Sequence, residues 1–272
     1  MNTGRMDERF SDVWDALAKK RSLVYHLTNS VAMNFQAQIA VAIGASPLMS
    51  LCPAEVEDLA KTADAVLINI GTPATDSEAV FTMAIRAAGR GNRPILLDPV
   101  GYGATPFRTR LVDRLLQEGH VTLVKGNAAE ISLLSGQDAS VRGVDADHAP
   151  DPEKAVFDVA RSWNCIAIAT GPIDWVSDGE RIWSVQGGHP YLASFSGSGC
   201  ALGTIVAAMV AACRLPLEGA LTALLAYRIA AEEAALESGG PGTFPSALID
   251  ALHRLMQQGL PPVGERVREI VL

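Results

Sequence analysis

Short apolar runs alternate with amphipathic segments along most of this chain of 272 residues. Each apolar run has the length of a strand, and each amphipathic segment repeats its hydrophobic residues with the ~3.6-residue period of a helix. The apolar runs predict strands at 23–27, 65–70, 94–98, 121–125 and 165–169, and residues 46–50 are predicted to be an extended piece that leads into a loop. The amphipathic segments predict helices at 7–20, 31–43, 55–62, 76–90, 109–117, 127–134 and 153–163. This alternation predicts a three-layer α/β/α fold with a mostly parallel central sheet and helices on both faces.

The C-terminal part of the chain follows a different pattern. Residues 174–185 alternate apolar and polar positions around Asp178-Gly179, which predicts an antiparallel hairpin with a type I′ turn at the sheet edge. Helices are predicted at 200–213, 217–236 and 245–257. The polar stretch 136–152, rich in Gly, Asp and Pro, is predicted to be a surface loop and not a linker. Residues 1–272 are therefore expected to form a single domain.

Composition narrows the choice of partners. Apolar residues make up 49% of the chain and charged residues 19%, which is enough for a deep core and suggests apolar surface buried between subunits. The net charge of −8 argues against a nucleic-acid partner. An anionic substrate would therefore need local help from a metal ion, a lysine or helix ends.

Cysteine, histidine and hydropathy patterns indicate the compartment. The four cysteines contain no Cys-x-x-Cys pair and the five histidines show no ligand spacing, so neither structural zinc nor a disulfide framework is expected. The N-terminal residues lack the apolar segment of a signal peptide. The most apolar run, 201–213, is shorter than the ~20 residues of a membrane helix. We expect a cytoplasmic protein without a membrane partner.

The stretch from Ser194 to Thr204 is the strongest candidate for chemistry. An extended segment is expected to end in Gly197-Ser198-Gly199, whose two glycines permit positive φ, and a helix follows at once. A helix N-terminus favours a phosphate through its free N–H groups and dipole, and Cys200 would lie there. The alternative is a tightly packed helix start with a buried cysteine.

Other polar motifs follow the predicted parallel strands and should converge on the same edge of the sheet. Asp98 is either a strand-terminating Asx turn or a carboxylate that holds Mg²⁺ near a nucleotide. Asn127 and Glu130 have the spacing of a capping box, yet Lys125 and Glu130 could also hold phosphate and metal. Thr170 either marks a bare turn or contacts a nucleotide phosphate.

Two nucleotide-binding patterns can be compared with the sequence directly. A Gly-x-x-x-x-Gly-Lys-Ser/Thr motif is absent, which excludes a P-loop. The glycines at 197, 199 and 203 approach a dinucleotide fingerprint, but with one residue too many and not after a first strand. A Rossmann-type oxidoreductase or a non-catalytic nucleotide-binding module therefore remains an alternative of a different class.

Eight distinctive motifs occur in order between about residues 24 and 257. They are His26-Leu-Thr-Asn29, Met33-Asn34-Phe35, Gly44-Ala-Ser-Pro47-Leu-Met49, Asn69-Ile-Gly71-Thr72, Leu97-Asp98-Pro99-Val100-Gly101-Tyr-Gly-Ala-Thr105, Lys125-Gly-Asn127-Ala-Ala-Glu130, Gly197-Ser-Gly-Cys200 and Gly240-Pro-Gly242-Thr-Phe244. Taken together, these motifs resemble the hydroxyethylthiazole kinase family, the thiamine-salvage branch of the ribokinase-like superfamily.

The resemblance implies a function and a set of site residues. It implies Mg²⁺-dependent transfer of phosphate from ATP to the hydroxyethyl group of 4-methyl-5-(2-hydroxyethyl)thiazole, by a homotrimer with substrate near the subunit interface. On that basis Cys200 is the expected catalytic residue. The remaining expectations are substrate binding by Met49, Gly197 and Asn29, ATP binding by Lys125, Thr170, Gly199 and Asn127, and metal binding by Asp98 and Glu130.

Two departures from the family pattern concern the proposed site. Lys125 stands where the family commonly has Arg, so a compact ammonium charge replaces a planar, forked guanidinium group. The loop has Ser198 in place of the usual Thr, which keeps a hydroxyl. Within the superfamily, kinases of hydroxymethylpyrimidine, sugars or pyridoxal are the nearest alternatives, but they usually carry Asp where Cys200 stands.

Overall fold

The computed structural model describes residues 3–142 and 145–270, arranged around one large sheet. The strands are β1 Leu23–Leu27, β2 Ser46–Met49, β3 Ala65–Asn69, β4 Ile95–Asp98, β5 Leu123–Asn127, β6 Ser140–Arg142, β7 Asp145–His148, β8 Ile166–Thr170, β9 Asp174–Ser177, β10 Ile182–Val185 and β11 Val267–Ile270. The helices are α1 Thr3–Lys20, α2 Met33–Ala42, α3 Val56–Thr62, α4 Ser77–Arg90, α5 Pro106–Glu118, α6 Ala128–Leu134, α7 Pro152–Trp163, α8 Ser198–Ala212, α9 Pro216–Glu237 and α10 Phe244–Gln258.

The nine strands of the large sheet follow the order β11-β10-β9-β8-β5-β4-β3-β1-β2. The six strands from β8 to β2 are parallel, and β9, β10 and β11 continue the sheet in antiparallel pairs. The mostly parallel three-layer fold expected from the sequence is thus confirmed. Because six parallel strands end at one edge, the polar residues that follow them lie along that edge.

Side-chain alternation along the strands divides the apolar core into two layers. In β3, Leu67 packs in the layer beneath α1, α2, α8, α9 and α10, whereas Val66 and Ile68 pack in the layer covered by α3, α4, α5 and α7. Helix α8 lies between the sheet and α9, and all but a few of its residues are buried. This position explains its composition of small and apolar residues, since a helix surrounded by protein has no polar face.

Several local expectations from the sequence are wrong. Four residues, not two, connect β9 to β10, since Ser177 pairs with Ile182, so the type I′ turn does not form. Asp178 instead accepts hydrogen bonds from the backbone N–H groups of Glu180 and Arg181. The stretch 136–152 is not only loop, because β6 and β7 form an antiparallel pair within it.

Two other elements differ from the expected pattern. Helix α5 begins at Pro106 and not at residue 109, because Thr105 caps it by accepting from the N–H of Arg108, and proline suits the first helical position. Strand β11 was not anticipated, because its central Arg268 and Glu269 are exposed and interrupt any apolar run. Within the described residues, none of the helices combines the length and hydropathy needed to cross a bilayer.

Candidate active site

Helix α8 has its N-terminus at the carboxyl edge of the sheet, as the glycine-rich motif predicts, but it begins at Ser198 and not at residue 200. Gly197 is the N-cap with φ of +94°, and a Cβ built there would lie 3.3 Å from the Cβ of Ala32, so both conformation and space favour glycine. Gly199 lies within the first turn, and positive φ is confined to Gly197 in this motif. The segment before Gly197 is also not a strand: a short 3₁₀ turn, Pro190–Ala193, leads into it.

Cys200 is the third residue of α8, and its thiol faces two buried amides. The Nδ2 groups of Asn69 and Asn29 lie 3.2 Å and 3.4 Å from Sγ. Burial, together with the charge of Asp98, raises the pKa of the Cys200 thiol to about 11, although Lys125 and the two amides act in the opposite direction. The sequence left open whether the helix N-terminus lowers this pKa, and in the structure burial dominates. The thiol is therefore protonated at neutral pH.

Asp98 and Lys125 form a buried ion pair below the first turn of α8. Nζ of Lys125 lies 3.2 Å from Oδ2 of Asp98, and both side chains are 3% exposed. Asn69 donates to the same Asp98 oxygen at 2.8 Å. Burial raises the pKa of Asp98 and outweighs the opposing effects of Lys125 and Asn69. Burial lowers the pKa of Lys125, but the neighbouring negative groups outweigh it and leave that pKa raised.

Glu130 forms the capping box that its spacing predicts, and it also holds a second loop. Its Oε2 accepts from the N–H of Asn127 at 2.7 Å, and Oε1 accepts from the N–H of Gly101 at 2.6 Å. Burial and the charge of Asp98 raise the pKa of Glu130 to about 7, against the lowering effect of these hydrogen bonds and Lys125. Two buried carboxylates near a single lysine leave excess negative charge when both are ionised. Such oxygen ligands suit Mg²⁺, which commonly binds one or two carboxylates and substrate phosphates.

The residues expected to contact ATP lie beside this cluster. Asn127 and Thr170 are register partners at the ends of β5 and β8, and Thr170 donates to the carbonyl of Gly126 at 3.2 Å. A Cβ built on Gly199 would lie 3.8 Å from Nζ of Lys125, so the first turn of α8 lies directly over the lysine. The structure thus brings Lys125, Gly199, Asn127 and Thr170 to one edge.

The residues expected to bind substrate are less tightly grouped. Asn29 follows β1 and contacts Cys200, and Gly197 lies at the N-cap of the same helix. Met49 lies at the end of β2, the outermost parallel strand, in register with His26. It is therefore set apart from the Asp98–Lys125 pair, toward the side of the sheet.

Sequence reasoning gave no site role to Asn69 and Arg108. Asn69 ends β3 beside Asp98 and shares the signal that drew attention to Asp98, a polar side chain at the end of an apolar strand. The Arg108 guanidinium donates to the carbonyls of Ile70, Gly71 and Val100 at 2.8, 2.8 and 2.6 Å, and so joins the loops after β3 and β4. Nothing in the local sequence of α5 predicts that reach.

The hydroxyl of Ser198 does not face the cluster. Tyr227 of α9 donates to the carbonyl of Ser198 at 2.9 Å, and the Ser198 hydroxyl lies 3.1 Å from the Tyr227 oxygen. Since the tyrosine proton is engaged by the carbonyl, the serine is the donor in the second contact. The hydroxyl retained at this position therefore ties α8 to α9.

Comparisons with known proteins agree with this geometry. The model of the hydroxyethylthiazole kinase family matches residues 15–258. A protein of Moorella thermoacetica named hydroxyethylthiazole kinase is 41% identical over 243 residues, which are 89% of this chain and 91% of that protein. The solved hydroxyethylthiazole kinase of Pyrococcus horikoshii OT3 superposes with a TM-score of 0.86 at 36% identity, covering 97% of this chain and all of the other.

A more distant solved structure shares the fold alone. Pyridoxal kinase of Staphylococcus aureus, in complex with AMP-PCP and pyridoxal, superposes with a TM-score of 0.56 at 16% identity. That match covers 78% of this chain and 88% of the pyridoxal kinase chain. At this identity the likeness shows only that the pyridoxal kinase has the same α/β/α fold, and it assigns no residue a role.

Proposed function

Because the chain belongs to the hydroxyethylthiazole kinase family, we propose that it transfers the γ-phosphoryl group of ATP to the hydroxyl of 4-methyl-5-(2-hydroxyethyl)thiazole, a step of thiamine salvage. One observation carries the proposal: Cys200, Asp98 and Lys125 converge below the N-terminus of α8. A cation, a helix N-terminus and a hydrogen-bonding thiol together suit a phosphoryl group and an alcohol better than they suit a nicotinamide.

In the proposed reaction, the alcohol oxygen bonds to the γ-phosphorus while the bond from phosphorus to the ADP oxygen breaks. The transition state is loose, so positioning and charge stabilisation contribute more than proton removal. Lys125 and the first turn of α8 supply positive charge, and the alcohol lies between Cys200 and the phosphate. As the new bond forms, the hydroxyl proton passes to a phosphoryl oxygen or to water, and ADP leaves with the electron pair of the broken bond.

Cys200 acts in this scheme as a hydrogen-bonding group and not as a covalent nucleophile. Its thiol is neutral in the free protein, with a pKa raised to about 11, so it orients the alcohol more readily than it deprotonates it. Cys200→Asp should stay active, since a carboxylate can also hold the alcohol through a hydrogen bond, and Cys200→Ala should lose only part of the rate. An isolable thiophosphate at Cys200 would contradict this role.

Mg²⁺ fits the two carboxylates described above. Asp98 and Glu130 would hold it, directly or through water, and the ion would neutralise charge on the ATP phosphates. The ion would also relieve the repulsion by Asp98 that, in addition to burial, raises the pKa of Glu130 to about 7. Calorimetric titration of the protein with AMP-PCP, an ATP analogue, in the presence of Mg²⁺ should show binding. This binding should be weaker in the Asp98→Asn variant.

The remaining contacts are proposed from position. Lys125, Thr170, Gly199 and Asn127 lie together where the nucleotide phosphates would bind. For the thiazole, Asn29 and Gly197 lie near Cys200, and Met49 approaches from the side of the sheet.

A homotrimer with substrate near the subunit interface would explain the place of Met49. Val31 and Val41, beside and within α2, are 65% and 62% exposed on the side of the sheet where Met49 lies, an arrangement that a neighbouring subunit could cover. Light scattering coupled to size exclusion should give three times the mass of 28.7 kDa. A monomeric mass would contradict the proposed assembly but not the reaction.

A substrate panel tests the function itself. Pure protein with ATP and Mg²⁺ should release ADP with the thiazole alcohol, and much more slowly with hydroxymethylpyrimidine, pyridoxal or sugar alcohols. Phosphorylated product should be identified by mass spectrometry, with Cys200→Ala as the slower control. Turnover of a pyrimidine or sugar alcohol in preference to the thiazole would overturn the assignment.

A further inference from the structure

Asn69 is a buried polar residue at the end of an otherwise apolar strand. It is 1% exposed, and β3 before it is buried along its whole length. A buried amide is unfavourable unless hydrogen-bonded, and an asparagine can accept at its oxygen and donate twice from its nitrogen. Oδ1 accepts from the N–H of Gly71 at 3.0 Å and from Nδ2 of Asn29 at 2.8 Å. Nδ2 donates to Asp98 at 2.8 Å and to Sγ of Cys200 at 3.2 Å.

Backbone donors fix the orientation of both amides around the sulfur. The N–H of Gly71 can only donate, so the atom of Asn69 that it meets must be the oxygen, and the nitrogen must face Cys200. Asn29 is fixed in the same way, because its Oδ1 accepts from the N–H of Ala32 at 2.9 Å. The sulfur therefore meets two N–H donors, and its lone pairs are directed toward the asparagines.

We propose that Asn69 is a positioning residue, whose amide, held by Gly71 and Asp98, fixes the Cys200 sulfur in the orientation that the alcohol requires. With the lone pairs of Sγ engaged on the side of β3, the S–H group is directed away from that strand, where the substrate hydroxyl would bind. Asn69 also links the carboxylate that would hold the cation to the thiol that would hold the alcohol. This inference rests on the proposed function and adds a residue to it.

A double-mutant cycle between Asn69 and Cys200 tests the inference. Asn69→Ala should lower kcat roughly tenfold at saturating ATP, since misplacing a reacting group by a fraction of an ångström costs about that much. In a Cys200→Ala background the same change should lower kcat less than about twofold, because residues that act as a unit are not additive. If Asn69 acts only structurally, including through support of Asp98, Asn69→Ala should instead lower kcat by the same factor in both backgrounds.

Gln36 provides the matched control. It is also a fully buried amide against Cys200, but its Nε2 donates to the backbone oxygen of Cys200 at 3.0 Å and not to the sulfur. The effects of Gln36→Ala and Cys200→Ala on kcat should therefore multiply. If Asn69→Ala does not fold, as judged by its thermal unfolding, Asn69→Ser replaces it, since a serine hydroxyl is too short to span the same contacts.

The outcomes separate this inference from the function. Equal losses from Asn69→Ala with and without Cys200 would overturn the positioning role while leaving the kinase assignment intact. A wild-type protein without thiazole kinase activity would instead overturn the proposed function and, with it, the positioning role that rests on it.

Discussion

Two buried ion pairs lie at the carboxyl edge of the sheet, and they are built differently. Arg228 of α9 pairs with Asp174 through two contacts, from Nε to Oδ2 and from Nη2 to Oδ1, both of 2.6 Å. The same guanidinium donates to the carbonyls of Gly171, Pro172 and Gly187. Lys125 meets Asp98 through one contact of 3.2 Å. Within the part of the chain that the structure describes, the nearby Glu130 forms no ion pair with a lysine or arginine.

The difference separates a structural pair from one suited to a ligand. A guanidinium with all its directions occupied by a carboxylate and fixed carbonyls cannot be rearranged without losing several hydrogen bonds. The ammonium of Lys125 is a compact charge, in a cluster whose acids outnumber it. Binding of phosphate and a cation would change the partners of Lys125 and Asp98. The Arg228–Asp174 pair instead holds the loop after β8 in place.

The largest expected effect is on stability, from loss of the structural pair. Arg228→Met leaves Asp174 buried without its partner and removes the donors to three carbonyls. It should lower the free energy of unfolding by about 3–5 kcal/mol in urea denaturation. Arg266→Met is the control, since Arg266 pairs with Glu232 while about one third exposed, and should cost at most about 1 kcal/mol. Equal costs for the two variants would contradict the distinction.

Loss of the second pair should affect catalysis more than folding. Lys125→Ala should lower kcat/KM for ATP by about 10²-fold, because one preorganised charge at the transferring phosphate is removed. The KM for ATP should rise more than the KM for the thiazole. Its cost in stability should be smaller than that of Arg228→Met, since Asp98, with its raised pKa, can take up a proton. Equal changes in both KM values would argue against a nucleotide role for Lys125.

Loss of stability at acid pH should arise beneath α8, in the region of the Lys125–Asp98 pair. His26 is buried, with Nδ1 against the carbonyl of Val24 at 3.0 Å and Nε2 against the hydroxyl of Thr204 at 3.1 Å. Burial lowers the pKa of His26 to about 4. Its contribution to stability is therefore complete above its ordinary pKa and is lost as the pH falls toward 4.

The size of this effect can be measured against a variant without the imidazole. Between about pH 7.5 and about pH 5, the free energy of unfolding of wild type should fall by roughly 2 kcal/mol more than that of His26→Gln. Denaturant unfolding of both proteins at the two pH values gives the difference directly. A difference that does not change with pH would mean that His26 is not held neutral by burial.

The smallest effect is expected at Ser198, whose hydroxyl lies near the site but faces away. Ser198→Ala should lower the free energy of unfolding by about 1 kcal/mol, through loss of the hydrogen bond to Tyr227. The kcat and the KM for ATP should stay within about twofold of wild type. A loss of tenfold or more in kcat would show that the hydroxyl contacts the phosphoryl group after all.

Much of the candidate site was predictable because it follows a simple rule of parallel sheets. Asp98, Lys125 and Asn127 each end or follow an apolar run, and parallel strands bring such residues to one edge. Asn69 obeys the same rule and could have been assigned with Asp98. Arg108 and Arg228 could not, because each reaches its loop from a helix distant in sequence, and periodicity carries no information on such contacts.

The layered fold, a helix start in the glycine-rich motif and the capping box of Glu130 follow from the sequence, since periodicity and capping act within a few residues. The protonation of Cys200, the orientation of Asn69 and the direction of the Ser198 hydroxyl follow only from the packed structure. These depend on burial and on partners from other strands and helices. Desolvation and hydrogen-bond geometry arise only after the chain has packed.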